Sequence, residues 1–229
     1  MLLLQPQIRK LAVVMVILTA GAITTASLYY RNLNRSVDPR IKPARELYEK
    51  YNAFAEHNAI DSVFILMDSI ETIYVSVPHY QNSYENGVLW NNRAAACLTR
   101  LLHEDTLTRA QRDTLARKAG EAARKSILIY RDWMHRYGTL TEDSLANAIR
   151  ESFLKGLEEY PPERQEQFLE KRTREMLDAQ VETYRRASVS YTNLGIVHRY
   201  HARYDSAAHC YQKAMELDRK STRLNSSHY

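Results

Sequence analysis

The chain has 229 residues, 26% of them charged and 45% hydrophobic, with only 6 Gly and 6 Pro. That is enough for one or two domains with a sizeable core, and too little glycine and proline for a turn-rich β-sandwich or a disordered protein. A modest formal charge of +5 with no long single-sign block speaks against a dedicated nucleic-acid binder, and two cysteines, Cys97 and Cys210, are too few for a disulfide framework or a four-ligand zinc site.

Residues 1–10 form a short N-terminal segment. Its Arg9 and Lys10 precede an uncharged run of 20 residues, Leu11 to Tyr30 (LAVVMVILTAGAITTASLYY). At about 1.5 Å per residue a helix of that length spans roughly 30 Å, the hydrocarbon thickness of a bilayer. The run reads as an uncleaved transmembrane anchor, because it exceeds the usual signal-peptide core and closes on an interfacial Tyr29-Tyr30 pair. A cleaved signal peptide is the alternative, since Ala20-Gly21-Ala22 and Thr24-Thr25-Ala26 resemble small-residue cleavage sites, and a buried core helix is a third reading. The flanking charges conflict over orientation. The short N-terminus looks like an export signal that places the bulk outside the cytoplasm, in the periplasm, whereas Arg31, Arg35, Arg40, Lys42 and Arg45 would favour a cytoplasmic bulk.

A basic linker, 31–43, leads into a body that reads as helix throughout. Pro43 at a first-turn position opens a helix with Leu47, Tyr48, Tyr51, Phe54 and Ala55 on one face. Asp61 is a candidate N-cap for a second helix, striped by Phe64, Met67, Ile70, Ile73 and Tyr74 and ended by Pro78. The connection around 58–60 allows only an antiparallel hairpin. A third helix over about 82–102 carries Tyr84, Val88, Ala95, Leu98 and Leu102. A fourth, stopping at Gly138, carries Leu115, Ala119, Ala122, Ile127, Tyr130 and Trp133. Thr141 caps a fifth with Leu145, Ala148, Ile149, Phe153 and Leu157. Pro161-Pro162 then starts a long charged helix over 160–187, with a sparse stripe of Phe168, Leu169, Met176, Val181 and Tyr184. Helical hairpins without any strand signal predict an all-α fold, either a bundle or a solenoid.

Residues 188–217 decide between the two. The segment YTNLGIVHRYHARYDSAAHCYQKAMEL resembles a tetratricopeptide repeat. Tyr191 takes its first aromatic position, Leu194-Gly195 the tight helix–helix contact, Tyr204 the turn into the second helix, and Ala207, Tyr211 and Ala214 the small–large–small packing pattern. Two residues depart from the pattern: His198 replaces a usual aromatic, and Arg219 stands where the terminal proline belongs. Trp90, Asn92, Ala94 and Ala96 resemble the first helix of a second such repeat, with Arg93 in place of leucine and the 111–137 helix as partner after an insertion. The resemblance implies antiparallel hairpins stacked as a tetratricopeptide-like α-solenoid, with degenerate hairpins over 44–159. It also implies a protein or peptide partner in a groove lined by Val189, Thr192, Asn193, Ile196, Arg199 and Tyr200; packing of that face on the 163–186 helix is the alternative.

The last residues, 218–229, differ in kind. DRKSTRLNSSH can be encoded by a DNA sequence that resembles a common short-read sequencing adapter in every base, so this tail is expected to be an artefact and the natural repeat to be cut near Leu217. Removing it takes away Arg219, Lys220, Arg223 and Asp218, which lowers the formal charge from +5 to +3.

Catalytic motifs are missing from the sequence: it contains no phosphate-cradling glycine loop, HExxH or nucleophile elbow, and no cofactor is expected. His198, His201 and His209 are the best metal candidates, and solvated repeat positions are the competing reading. Cys97 and Cys210 sit among alanines as buried small hydrophobes, or as a disulfide in an exported domain. Glu158-Glu159 and Glu163, Glu166 and Glu170, interleaved with basic residues, suit a solvated salt-bridged face. The expectation is a non-enzymatic, single-pass membrane-anchored scaffold; the alternative is the sensory or adaptor part of a signalling protein whose effector lies beyond residue 217.

Overall fold

The computed structural model describes residues 38–57 and 59–227. Among these residues the protein is all-helical, with seven helices and no strand. Residues 1–37, which hold the N-terminal segment, the apolar run and most of the basic linker, lie outside them. Among the described residues no helix is long and apolar enough to cross a membrane.

Helix α1 (Lys42–Glu56) takes Pro43 into its first turn and pairs with α2 (Ile60–Ser76). The N-cap of α2 is Ala59, which has no side-chain bond. Asp61 lies instead inside the first turn, where its carboxylate accepts from Arg100 at 2.9 Å. Helix α3 (Tyr84–His103) starts at Ser83, whose hydroxyl accepts from Asn86 N–H. Helix α4 (Arg109–Tyr137) opens on a reciprocal capping box between Thr108 and Gln111 and ends at Gly138, antiparallel to α3. Thr141 caps the short α5 (Glu142–Ser152). Helix α6 (Pro162–Tyr200) runs for 39 residues, about 58 Å, and packs on α3, α4, α5 and α7 (Tyr204–Ser227).

Four expectations shift. Phe54 is 41% exposed and Ala55 is also exposed, so α1 buries only the first part of its stripe. In α3 Leu102 points outward and Leu101 inward, because the buried line runs through Leu89, Ala94, Cys97, Leu98 and Leu101. Phe153 and Leu157 are buried but lie beyond the end of α5, in the turns on either side of Gly156, whose φ is +88°. The expected break at 187–188 is absent: the long charged helix and the first helix of the repeat are one helix, with no proline between them. The groove face therefore cannot pack on the 163–186 helix, because the two are segments of one rod.

The interior divides into one large and two small clusters. The large one gathers Met67, Ile70 and Tyr74 of α2, Trp133 of α4, Leu145 and Ile149 of α5, and Phe168 and Met176 of α6. The smaller two lie between α3, α4, α6 and α7, and are built mainly from alanine, cysteine and leucine. Small side chains let these helices approach closely, which suits stacked hairpins.

Candidate functional site

The α6–α7 hairpin carries most of the residues that the sequence singles out. The end of α6 is closed by His201 N–H to Val197 O at 3.2 Å, Ala202 N–H to Arg199 O at 3.0 Å and Arg203 N–H to His198 O at 2.9 Å. This wrap requires Ala202 at φ +54°, the left-handed region that usually takes glycine. The chain then re-enters helix at Tyr204, which is 68% exposed.

Gly195 sets the distance between the two helices. A Cβ built on it would lie 2.5 Å from Cε1 of Tyr211, so only glycine admits the ring. Leu194, Ala207, Cys210 and Ala214 are buried around this contact, and Tyr191 packs at its edge. The α3–α4 hairpin repeats the arrangement: a Cβ on Gly87 would lie 2.5 Å from Cε1 of Tyr130. In both hairpins a glycine of the first helix seats a tyrosine ring of the second. The sequence resemblance had selected Trp90 to Ala96 in α3 and missed Gly87.

The six groove candidates do not share one environment. Val189 is 40% exposed, Arg199 is exposed, and Tyr200 is 37% exposed with its hydroxyl donating to Asp113 at 3.0 Å. Thr192 is half-buried and donates to Ser188 O of its own helix at 3.1 Å. Ile196 is partly buried and packs against the cluster that Cys97, Leu98, Leu101, Ala116, Ala119 and Val197 form. Asn193 is buried, and its amide donates to Asn91 Oδ1 of α3 at 3.2 Å. Val189, Thr192, Arg199 and Tyr200 thus remain available along α6, while Asn193 and Ile196 face the interior.

Asn193 belongs to a buried polar seam that sequence reasoning passed over. Ser190 Oγ donates to Asn91 Oδ1 at 2.8 Å and lies 2.9 Å from Ser126 Oγ, which donates to Gly87 O at 3.0 Å. Asn91, Ser126, Ser190 and Asn193 are all at most 8% exposed. The clue in the sequence is Asn91, a polar side chain on the line that continues through Ala94, Leu98 and Leu101.

A second missed constellation joins α3, α6 and α1. The Arg172 guanidinium holds both carboxylate oxygens of Glu85 and reaches Glu175 at 3.4 Å, and Glu175 in turn pairs with Arg45 at 2.6 Å. Burial alone would raise the Glu85 carboxyl, but the Arg172 charge and its hydrogen bond carry it down to about 2. The flat Arg172 group also lies 4.9 Å from the Tyr80 ring centre.

The remaining candidates are dispersed. His198, His201 and His209 do not converge, and among the described residues no three His, Cys, Asp or Glu side chains are placed to hold a metal. Burial, then Arg203 and Arg124, hold the His198 imidazole below its usual range. Cys97 and Cys210 are free, buried thiols in separate clusters, and burial pushes both up. Glu158 accepts from Gly156 N–H at 2.7 Å, Glu166 pairs with Arg150 and Glu170 with Arg174, all at the surface. The 218–227 segment continues α7 as helix; Ser221 is buried and the Lys220 ammonium lies 4.5 Å from the Tyr184 ring centre. No protein-family model matches the chain, and no curated protein matches it.

Proposed function

We propose that this chain is a non-enzymatic interaction scaffold of the tetratricopeptide type, tethered to a membrane by residues 11–30, with its bulk in the periplasm. The observation that carries the reading is the pair of glycine–tyrosine seats, Gly195 under Tyr211 and Gly87 under Tyr130, one in each of two helical hairpins. Close-packed hairpins of this kind stack into solenoids that present their first helices to a partner. Here the presented positions are Val189, Thr192, Arg199 and Tyr200. Arg199 can form charge-assisted bonds to a carboxylate or backbone carbonyl, and Tyr200 adds a stiff aromatic contact.

Site-specific photocrosslinking in the full chain tests this. A photoreactive residue at position 189, 192 or 199 should capture a protein partner, and one at 128, on the exposed face of α4, should not. Capture should fall in Arg199→Ala and Tyr200→Ala variants that keep the parental melting temperature. Equal capture at 128 and 199 would sink the groove reading. The tether is tested separately, by protease protection of tagged termini in spheroplasts.

A further inference from the structure

At the end of the molecule away from the α6–α7 turn, the α2–α3 connection, the ends of α4 and α5 and the N-terminal half of α6 surround a cavity of about 30 Å³. About 10–15 Å³ of such space admits one water, so the cavity takes the small end of a ligand whose remainder lies at its mouth. The walls are the buried side chains of Tyr80, Trp133, Ile149, Phe153 and Met176, each at most 5% exposed. Arg172, itself 8% exposed, lies in the lining, and His79, Asn82 and Arg136 stand at the rim. We propose that this cleft binds a carboxylate, with its apolar end against Trp133 and Tyr137 and its oxygens facing His79, Asn82 and Arg136.

The charge pattern supports an anion. Helix C-termini present carbonyl oxygens that repel anions, but here Tyr137 O, the last of α4, and Phe153 O, at the cap of α5, are occupied. Gln180 donates to Tyr137 O and Leu140 O, both at 2.8 Å, and Arg40 donates to Phe153 O at 2.9 Å and Lys155 O at 3.0 Å. The positive end of α3, capped by Ser83, borders the same cleft. Burial first, then the charges of Arg40, Arg136 and Lys155, hold the His79 imidazole below its usual range, which marks a positive field at the rim.

Two of the donors are free to act: among the described residues no side-chain hydrogen bond engages His79 or Asn82. Arg136 pairs with Asp132 through one arm, while the other lies 3.5 Å from the Tyr137 hydroxyl. His79 sits at φ +70°, a conformation uncommon for a non-glycine residue, which the Tyr80 N–H to Val77 O and Ser83 N–H to Tyr80 O turns maintain. Arg172 is neutralised by Glu85 and Glu175, so rim selectivity falls to Arg136 and His79.

A carboxylate could come from a small free acid or from an acidic side chain of a partner, and one titration separates them. The full chain in detergent, in a Trp90→Phe background so that Trp133 alone reports, is titrated with sodium propionate, with the peptide Ac-Gly-Glu-Gly-NH2, and with sodium chloride at matched ionic strength. A saturable fluorescence change with propionate assigns a free acid, and one with the peptide assigns an acidic segment. Either should weaken about tenfold or more in Arg136→Gln and in His79→Asn, since each removes a bond to a charged group. Both variants should fold: Arg136 is half-exposed, and asparagine tolerates positive φ. No saturation by either probe, a response matched by chloride, or affinity undiminished in both variants would overturn the proposal.

Discussion

Adding one methyl group to a glycine inside a helix normally stabilises it, by about 1 kcal/mol, because alanine restricts the unfolded chain and favours helix. Gly87, Gly120 and Gly195 all lie inside helices, so propensity predicts the same gain at each. The packing predicts three different outcomes. At Gly87 the new methyl would meet three atoms of the Tyr130 ring at 2.5, 2.8 and 3.1 Å, and that ring is fully buried and has nowhere to retreat. Overpacking of this kind costs about 1–3 kcal/mol, so Gly87→Ala should be destabilising by about 1–2 kcal/mol net. A methyl on Gly195 would lie 2.5, 2.9 and 3.0 Å from the same three atoms of Tyr211, but that ring is only half-buried and can swing outward, so Gly195→Ala should cost less. At Gly120 the nearest atom is a Val197 methyl at 3.3 Å, which leaves Gly120→Ala near neutral or stabilising. For a chain of this size 1 kcal/mol moves the midpoint by about 2–4 °C, so calorimetry can rank all three. A Gly87→Ala and Tyr130→Leu double-mutant cycle should then show coupling of the sign that relieves the clash. If Gly87→Ala and Gly195→Ala both melt at or above the parent, the seats do not set the helix spacing, and the argument for stacked hairpins loses its main support.

The other predictions concern charge, strain and thiols. Glu85→Gln leaves the buried Arg172 only its longer contact to Glu175 and should cost about 3 kcal/mol by chemical denaturation, with Arg172→Met in the same background restoring part of it. The folded carboxyl titrates near 2 against 4.5 for the free group, so its contribution is complete above pH 4.5 and is lost as pH falls from there towards 2. The amount at stake is about 3 kcal/mol, and a Glu85→Gln protein should show a correspondingly flatter acid limb of stability against pH. Ala202→Gly should remove left-handed strain of about 1–2 kcal/mol while loosening the unfolded chain by up to about 1 kcal/mol. A rise of a few degrees in melting temperature is the expected result, and a fall would count against the turn geometry. Cys97 and Cys210 should resist a soluble thiol reagent in the folded protein and react in denaturant; fast labelling of either without denaturant would contradict its burial.

Much of the helical layout could be read from local signals. Thr141, Gly138 and the prolines at 161 and 162 act within a few residues of themselves, and the helices begin or end beside them. Features set by tertiary packing were harder to read. Asp61 is an excellent cap by composition, yet the α1–α2 turn starts the helix two residues earlier, at an Ala59 cap, and frees the carboxylate for Arg100. Leu101 and Leu102 both fit an apolar stripe, and only the position of α4 and α6 decides which is buried. Asn193 was placed in the groove by alignment with a repeat pattern, but a polar partner 102 positions away draws it inward. Arg172 and Glu85 lie in sequence amid many exposed acid–base neighbours, and nothing local marks them as a pair that the fold encloses.

The two missed constellations share a physical logic. Around α6 the contacts are made by small, smooth side chains: Ala94, Ala119, Ala122, Ala123, Ala179 and Ala187. Surfaces like these pack closely in more than one register, because shifting a helix by one turn brings one small apolar group onto another. Hydrogen-bonded polar groups are less tolerant, since a shifted register would bury Asn91 and Ser190 without partners, at about 1–3 kcal/mol each. The seam from Asn91 through Ser190 to Ser126 therefore fixes the C-terminal half of α6 against α3 and α4, while Glu85 and Arg172 fix its N-terminal half against α3. Two pins on one 39-residue rod leave it a single position and a single rotation. That rotation turns Asn193 inward and leaves Val189, Thr192, Arg199 and Tyr200 along the side available to a partner.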